Sequence, residues 1–402
     1  MWRVRLPAAR TTRTTNPWFA ERSQEQKPIR RRRSPAATPR ISFAELSSMG
    51  AEQLTAALSQ EPEVAAGWLA AAAKYGIVEA QTAYAQILLD GRGVARDPME
   101  AFAWFSVAAG AGSLEAINMV GRCLELGWGV PADPEAAAGH FRRAAEKGYG
   151  WAQYNLANLL ARGVGLPRDP EEAFAWYACA ARQGHAKSMN LVGRFLEEGW
   201  AGRADPGAAL DWYRRAAEGG DFRGQFNYGM ELANRGQVEA ALDWLGRAAA
   251  TGTPGFLRSM AKALGPHPRL RSVAIQALAR CCDGGTAEDF FAYGRALSEE
   301  PGADPARARH WLRLARAAGH REAGPLLRRL ARAELSRWRA PLIREAVRLG
   351  AWARGGLRLG ASGAHCGRAG VATITKMLGV RRKFWPGFLL RLTLTRAKAE
   401  HR

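Results

Sequence analysis

Asn118, Arg122 and Glu125 recur 72 residues later as Asn190, Arg194 and Glu197. Steps of four and three residues place such side chains one above another on a helix. Amides and a guanidinium in one row can hydrogen-bond an extended peptide backbone or a carboxylate. Tyr154 and Asn158 lie between the two trios, and Thr82 and Gln86 stand at the corresponding places before them. The plain alternative is a polar helix face with internal Arg–Glu pairs worth about 0.2–0.5 kcal/mol each. Gln86, Asn118, Arg122, Glu125, Tyr154, Asn158, Asn190, Arg194 and Glu197 are therefore the candidate protein-binding residues.

Other reactive residue types do not gather in this way. The histidines are His140, His185, His267, His310, His320, His365 and His401, and none pairs with another His or a Cys at ligand spacing on a helix face. No zinc pattern and no phosphate-cradling lysine loop are read, so no metal, cofactor or catalytic residue is expected. The cysteines are Cys123, Cys179, Cys281, Cys282 and Cys366, an odd set without regular spacing. They read as reduced thiols rather than a disulfide framework. Tryptophans could serve as stacking platforms, but here each is read as packing between helices together with nearby alanines.

The elements that must carry the candidate residues follow a ruler. Trp68, Trp104, Trp176 and Trp212 lie 36, 72 and 36 residues apart, and the vacant node is His140. Asp97-Pro98, Asp133-Pro134, Asp169-Pro170 and Asp205-Pro206 keep the same 36-residue step. A fixed period of this size means stacked copies of one small unit. In the first complete copy, Ala80, Ala83, Tyr84, Ile87 and Leu88 form the stripe of a helix with one buried face. Gly91-Arg92-Gly93-Val94 breaks that helix. Asp97 then caps a second helix whose first position is Pro98, where no N–H is needed. That helix shows Ala101, Trp104, Ala108 and Ala109 on one face and ends at Gly112. Three further copies follow, then a fifth with a shorter loop, a degenerate one over 253–285 and a last one around Trp311. Alternate copies resemble each other most, so the unit is either a duplicated pair of 72 residues or the trace of duplication alone.

The glycine-rich turns, the Asp-Pro before an Ala-x-x-Trp-Tyr run, the paired alanines and the closing glycine resemble the Sel-1-like repeat family, a branch of the tetratricopeptide-like solenoids. The resemblance covers roughly residues 50–323. It implies an all-α, right-handed α-solenoid of antiparallel helix pairs, about seven repeats here, acting as a scaffold or adaptor that binds other proteins in its groove. Some secreted members carry a disulfide in each repeat and are linked with β-lactam chemistry. This chain lacks the paired cysteines and a Ser-x-x-Lys motif, so that activity is not carried over.

Charge divides the 402 residues into three segments: a basic N-terminal stretch over 1–41, the repeat body over 42–323 and a basic extension over 324–402. The net charge of +21 comes from the two ends. Arg30 to Arg33 and residues 381–402 offer cations, the latter mixed with Phe384, Trp385 and Phe388. Such ends are either solvated tails or contacts for anionic membrane or nucleic acid, the alternative function. No run of about 18 apolar residues and no secretory signal are read, so a monomeric, cytoplasmic protein is expected.

Overall fold

A computed structural model describes residues 61–336 together with Pro341 and Arg344. The chain divides between Pro325 and Leu326 into two compact units. The described part of the first unit is helical without strands, and residues 326–336 of the second are helical as well. The basic stretches 1–41 and 381–402 lie outside the described residues.

Helices alternate along the first unit. They are α1 (Pro62–Lys74), α2 (Val78–Asp90), α3 (Pro98–Gly110), α4 (Leu114–Leu126), α5 (Pro134–Glu146), α6 (Gly150–Arg162), α7 (Pro170–Arg182) and α8 (Ala186–Glu198). Then come α9 (Pro206–Glu218), α10 (Phe222–Asn234), α11 (Val238–Thr251), α12 (Pro254–Leu264), α13 (Arg271–Cys281), α14 (Ala287–Glu299) and α15 (Pro305–Ala317). From α1 to α11 each helix packs on the next, which is the one-dimensional logic of a solenoid.

Caps explain why the elements start and stop where they do. The carboxylates of Asp97, Asp133, Asp169 and Asp205 accept from first-turn N–H groups at 2.9–3.1 Å. A proline occupies the first turn each time, where its missing donor costs nothing. The backbone N–H of the same four aspartates donates to Leu88, Leu124, Leu160 and Leu196 at 2.8–3.0 Å, closing each turn onto the preceding helix. Gly129 in the second turn has φ +76, and a Cβ there would lie 2.1 Å from the Pro98 carbonyl oxygen. Gly93 and Gly165 meet Pro62 and Pro134 in the same way. The fourth turn carries Ala201 at that place, and the chain instead turns at Gly202 with φ +139.

The core sits one residue away from the tryptophan lattice. Phe105, Phe141, Tyr177 and Tyr213, spaced 36 residues apart, are at most 2% exposed. Trp104, Trp176 and Trp212 are half-buried, packed on the core's edge. The indole nitrogens of Trp104 and Trp176 donate to Glu100 and Glu172 at 3.3 and 3.1 Å. An indole keeps a polar edge that wants a partner, whereas the following ring turns fully inward. His140 is likewise half-buried beside Phe141.

The degenerate copy does not interrupt the packing. Helices α12 and α13 are 11 residues each and share a core with α11 through Leu245, Phe256, Met260 and Ala277. Arg258 of α12 reaches forward to the buried Asp289 at the start of α14, with bonds of 2.7 and 3.0 Å. Burial alone would raise that carboxyl, but Arg258 and Thr286 hold it below its ordinary value. Arg280 of α13 reaches backward to the carbonyls of Ala249 and Ala250 at the end of α11. Two guanidiniums thus tie the irregular pair to both neighbours.

Gly129→Ala is expected to lower unfolding stability by at least about 1–2 kcal/mol, the cost of an L residue in left-handed backbone, before the clash is added. Gly139→Ala in the exposed face of α5, where a Cβ meets nothing within 4 Å, is expected to be neutral or to stabilise by about 0.5–1 kcal/mol. Chemical denaturation of both variants checks the contrast.

Candidate protein-binding face

The first helix of each hairpin is buried on most of its surface, because its own second helix and that of the preceding hairpin both cover it. What remains open in the second half of the helix is a narrow stripe whose residues are four apart. In α4 it comprises Arg122 and Leu126, and in α8 Arg194 and Glu198, while Met119 and Leu191 one turn earlier are buried. The 36-residue step carries the stripe along the array: Gln86, Arg122, Asn158, Arg194 and Met230 form one partly exposed column.

The candidate residues fall into three settings. Arg122, Asn158, Arg194 and Gln86 lie on the stripe. Gln86 donates to Asp90 at 2.9 Å, and Asn158 accepts from the Tyr177 hydroxyl at 2.7 Å. Arg122 lies over the Trp128 ring at 4.9 Å and Arg194 over Trp200 at 5.1 Å. Glu125, Glu197 and Tyr154 flank the stripe. Glu125 faces Arg162 at 3.8 Å, and Glu197 accepts from Tyr213 at 2.6 Å. Desolvation raises the Glu197 carboxyl, against the pull of that hydroxyl, and burial with the neighbouring carboxylate raises the Tyr213 phenol. Asn118 and Asn190 are buried, only 4% and 3% exposed. They accept from Asn155 and Asn227 of the next hairpin at 2.8 Å each, so their amides hold neighbouring repeats in register.

Sequence reasoning missed the partners that give the arginines their geometry. Trp128 and Trp200 each follow a left-handed glycine, Gly127 and Gly199, that ends the first helix. Their N–H groups donate back to Cys123 and Phe195 at 2.9 and 3.1 Å, which folds each indole under the arginine six residues earlier. The signal was present as a Gly-Trp pair recurring after 72 residues. A guanidinium stacked on an indole has its plane fixed, and a fixed planar fork suits a carboxylate or paired carbonyls.

A run of aromatic contacts passes through the core beneath the middle of this face. Tyr154 lies 6.2 Å from Tyr177, Tyr177 5.6 Å from Phe195, and Phe195 5.2 Å from Trp200. His185 is wedged between Trp151 and Tyr154, with centroids 4.5 and 5.0 Å away, and its Nδ1 meets the Ser188 hydroxyl at 2.8 Å. Burial, with Lys187 nearby, lowers its pKa to about 4. Cys123, Cys281 and Cys282 are buried free thiols, raised to about 11, 11 and 12 by burial first, and Cys179 is free and half-buried. Among the described residues no group of three or more His, Cys, Asp or Glu is placed to hold a metal ion. No helix there is long and apolar enough to cross a membrane.

Five stretches, 78–113, 114–149, 152–185, 186–221 and 287–320, match the Sel1 repeat model. The chain carries five Sel1-like repeats. A Sel1 repeat protein from Oxalobacter formigenes superposes with a TM-score of 0.50 at 25% identity, over 67% of this chain and 100% of that one. A protective antigen of uropathogenic Escherichia coli strains with an SLR fold is 22% identical over 76% of this chain and 77% of that one, with a TM-score of 0.39. No curated protein matches the chain. Sel1-repeat proteins are generally non-catalytic scaffolds that bind other proteins.

His185 supplies a pH test of the aromatic contacts. Its folded pKa lies below the ordinary value, so the folded state favours the neutral ring. The stability this contributes is complete above about pH 6.5 and is lost as pH falls towards about 4. The melting-temperature gap between the native protein and His185→Phe is expected to shift against the native protein across that window. A gap that stays constant contradicts the burial of a neutral imidazole.

Proposed function

We propose that this Sel1-like repeat protein is a non-enzymatic scaffold that holds an extended segment of another protein along the open stripe of its first helices. The observation that carries the reading is the pair of stacked arginines, Arg122 on Trp128 and Arg194 on Trp200, repeated after two hairpins. Arginine and tryptophan are the residue types that dominate binding energy at protein interfaces. Asn158 lies between the two arginines on the same column, where an amide suits a peptide backbone. Gln86 and Met230 extend the column to either side. Glu125 and Glu197 flank it with acceptors, and Tyr154 flanks it with an aromatic ring. Asn118 and Asn190 contribute by fixing the spacing between repeats. The free thiols fit a reducing, cytoplasmic setting.

The test is affinity capture from native cells with the full chain and with Arg122→Ala/Arg194→Ala. Loss of two anchors is expected to weaken specific partners by about tenfold or more, while circular dichroism and melting stay those of the native protein. An identical set of partners, recovered in identical amounts by both proteins, overturns the assignment.

A further inference from the structure

A second interaction surface lies on the edge of the array where the first helices begin. The second residue of α2, α4, α6, α8 and α10 is Glu79, Glu115, Trp151, Lys187 and Arg223 in turn. The sign of charge inverts about the central tryptophan. One step out, Glu115 faces Lys187 across it, and two steps out Glu79 matches Arg223. Among the residues that end the preceding helices, Lys74, Gly110, Glu146, Arg182 and Glu218, only the outer pair, Lys74 and Glu218, repeats the rule. Glu79, Glu115, Lys74 and Glu218 are exposed, Lys187 and Arg223 are partly exposed, and Trp151 is 45% exposed.

Helix energetics explain only half of this row. An acid in the first turn is favoured by the positive end of the helix dipole, and Glu79 and Glu115 obey. Lys187 and Arg223 occupy the same position against the dipole. Each lies over a ring, Lys187 on Trp151 at 5.0 Å and Arg223 on Phe222 at 4.6 Å, which positions the cation at the edge.

A row whose charges invert about its midpoint is complementary to itself when turned by half a rotation. We propose that this edge joins two copies of the chain around a two-fold axis at Trp151. Glu115 then meets Lys187 of the second copy, Glu79 meets Arg223, Lys74 meets Glu218, and the two indoles cover each other at the axis. The same residues meet again with roles exchanged, which is the closed, isologous contact of a symmetric dimer. A parallel pairing places like charges opposite one another and is disfavoured. Arg122 lies seven residues along α4 from Glu115, about 10 Å deeper, so the stripe stays open and the dimer presents it twice. The inference is independent of the stripe assignment.

Sedimentation velocity of the full chain across a concentration series tests it. The native protein is expected to show a monomer–dimer equilibrium that weakens with added salt. Glu115→Lys alone and Lys187→Glu alone each set like charges together twice and are expected to weaken association about tenfold or more. Glu115→Lys/Lys187→Glu restores complementarity and is expected to restore the dimer, while Arg122→Ala/Arg194→Ala leaves it unchanged. A native chain that sediments as a monomer at every concentration overturns the proposal. So does a double reversal that associates no better than the single ones.

Discussion

One apolar contact, repeated, sets the spacing of everything else: the inward ring or leucine of each second helix against a small residue of the first. In several hairpins the approach is so close that no methyl fits. A Cβ on Gly121 would lie 2.7 Å from the Phe141 ring, and one on Gly193 would lie 2.7 Å from Tyr213. Gly229 against Leu245 and Gly294 against Leu312 repeat the arrangement at 2.8 and 2.9 Å. The first and third hairpins carry Ala85 and Ala157 at the corresponding place. Interiors packed to this density tolerate little change in volume, and the distance between helices follows from it.

The same contact builds the binding face. Where the inward residue is tyrosine, its hydroxyl passes through the layer and emerges among the candidate residues. Tyr177 donates to Asn158 and Tyr213 to Glu197. A buried phenol needs such an acceptor, and the acceptor gains a fixed orientation in return. Core and surface are therefore joined at these two consecutive hairpins by single hydrogen bonds. The Asn118–Asn155 and Asn190–Asn227 bonds extend that joint from one hairpin to the next. The 72-residue pattern in the sequence corresponds to the amide pairs and the Gly-Trp turns, which recur at that step.

The architecture was largely legible because its signals are local. An Asp-Pro before an apolar run, a glycine pair in the turn and a closing glycine each have a backbone reason that holds without knowledge of the fold. The phase of the helices was less legible. A repeat makes every column recur with equal regularity, so period alone does not say which column points inward. The conspicuous Trp104 and Trp176 proved to be edge residues, and the less regular series Phe105, Phe141, Tyr177 and Tyr213 proved to be the core. Asn118 and Asn190 misled for a related reason. A polar residue reads as exposed unless its partner is known, and Asn155 and Asn227 lie 37 residues away. Arg122 and Arg194 were found because they sit on the open stripe itself.

The claim on which this account rests is that the residue after each tryptophan, rather than the tryptophan, holds the hairpins together. Urea unfolding of Tyr177→Ala beside Trp176→Ala measures it most directly. Tyr177→Ala is expected to cost about 3–5 kcal/mol, as for a large aromatic removed from a packed interior, and Trp176→Ala distinctly less. A larger loss from Trp176→Ala than from Tyr177→Ala would contradict the placement of the core.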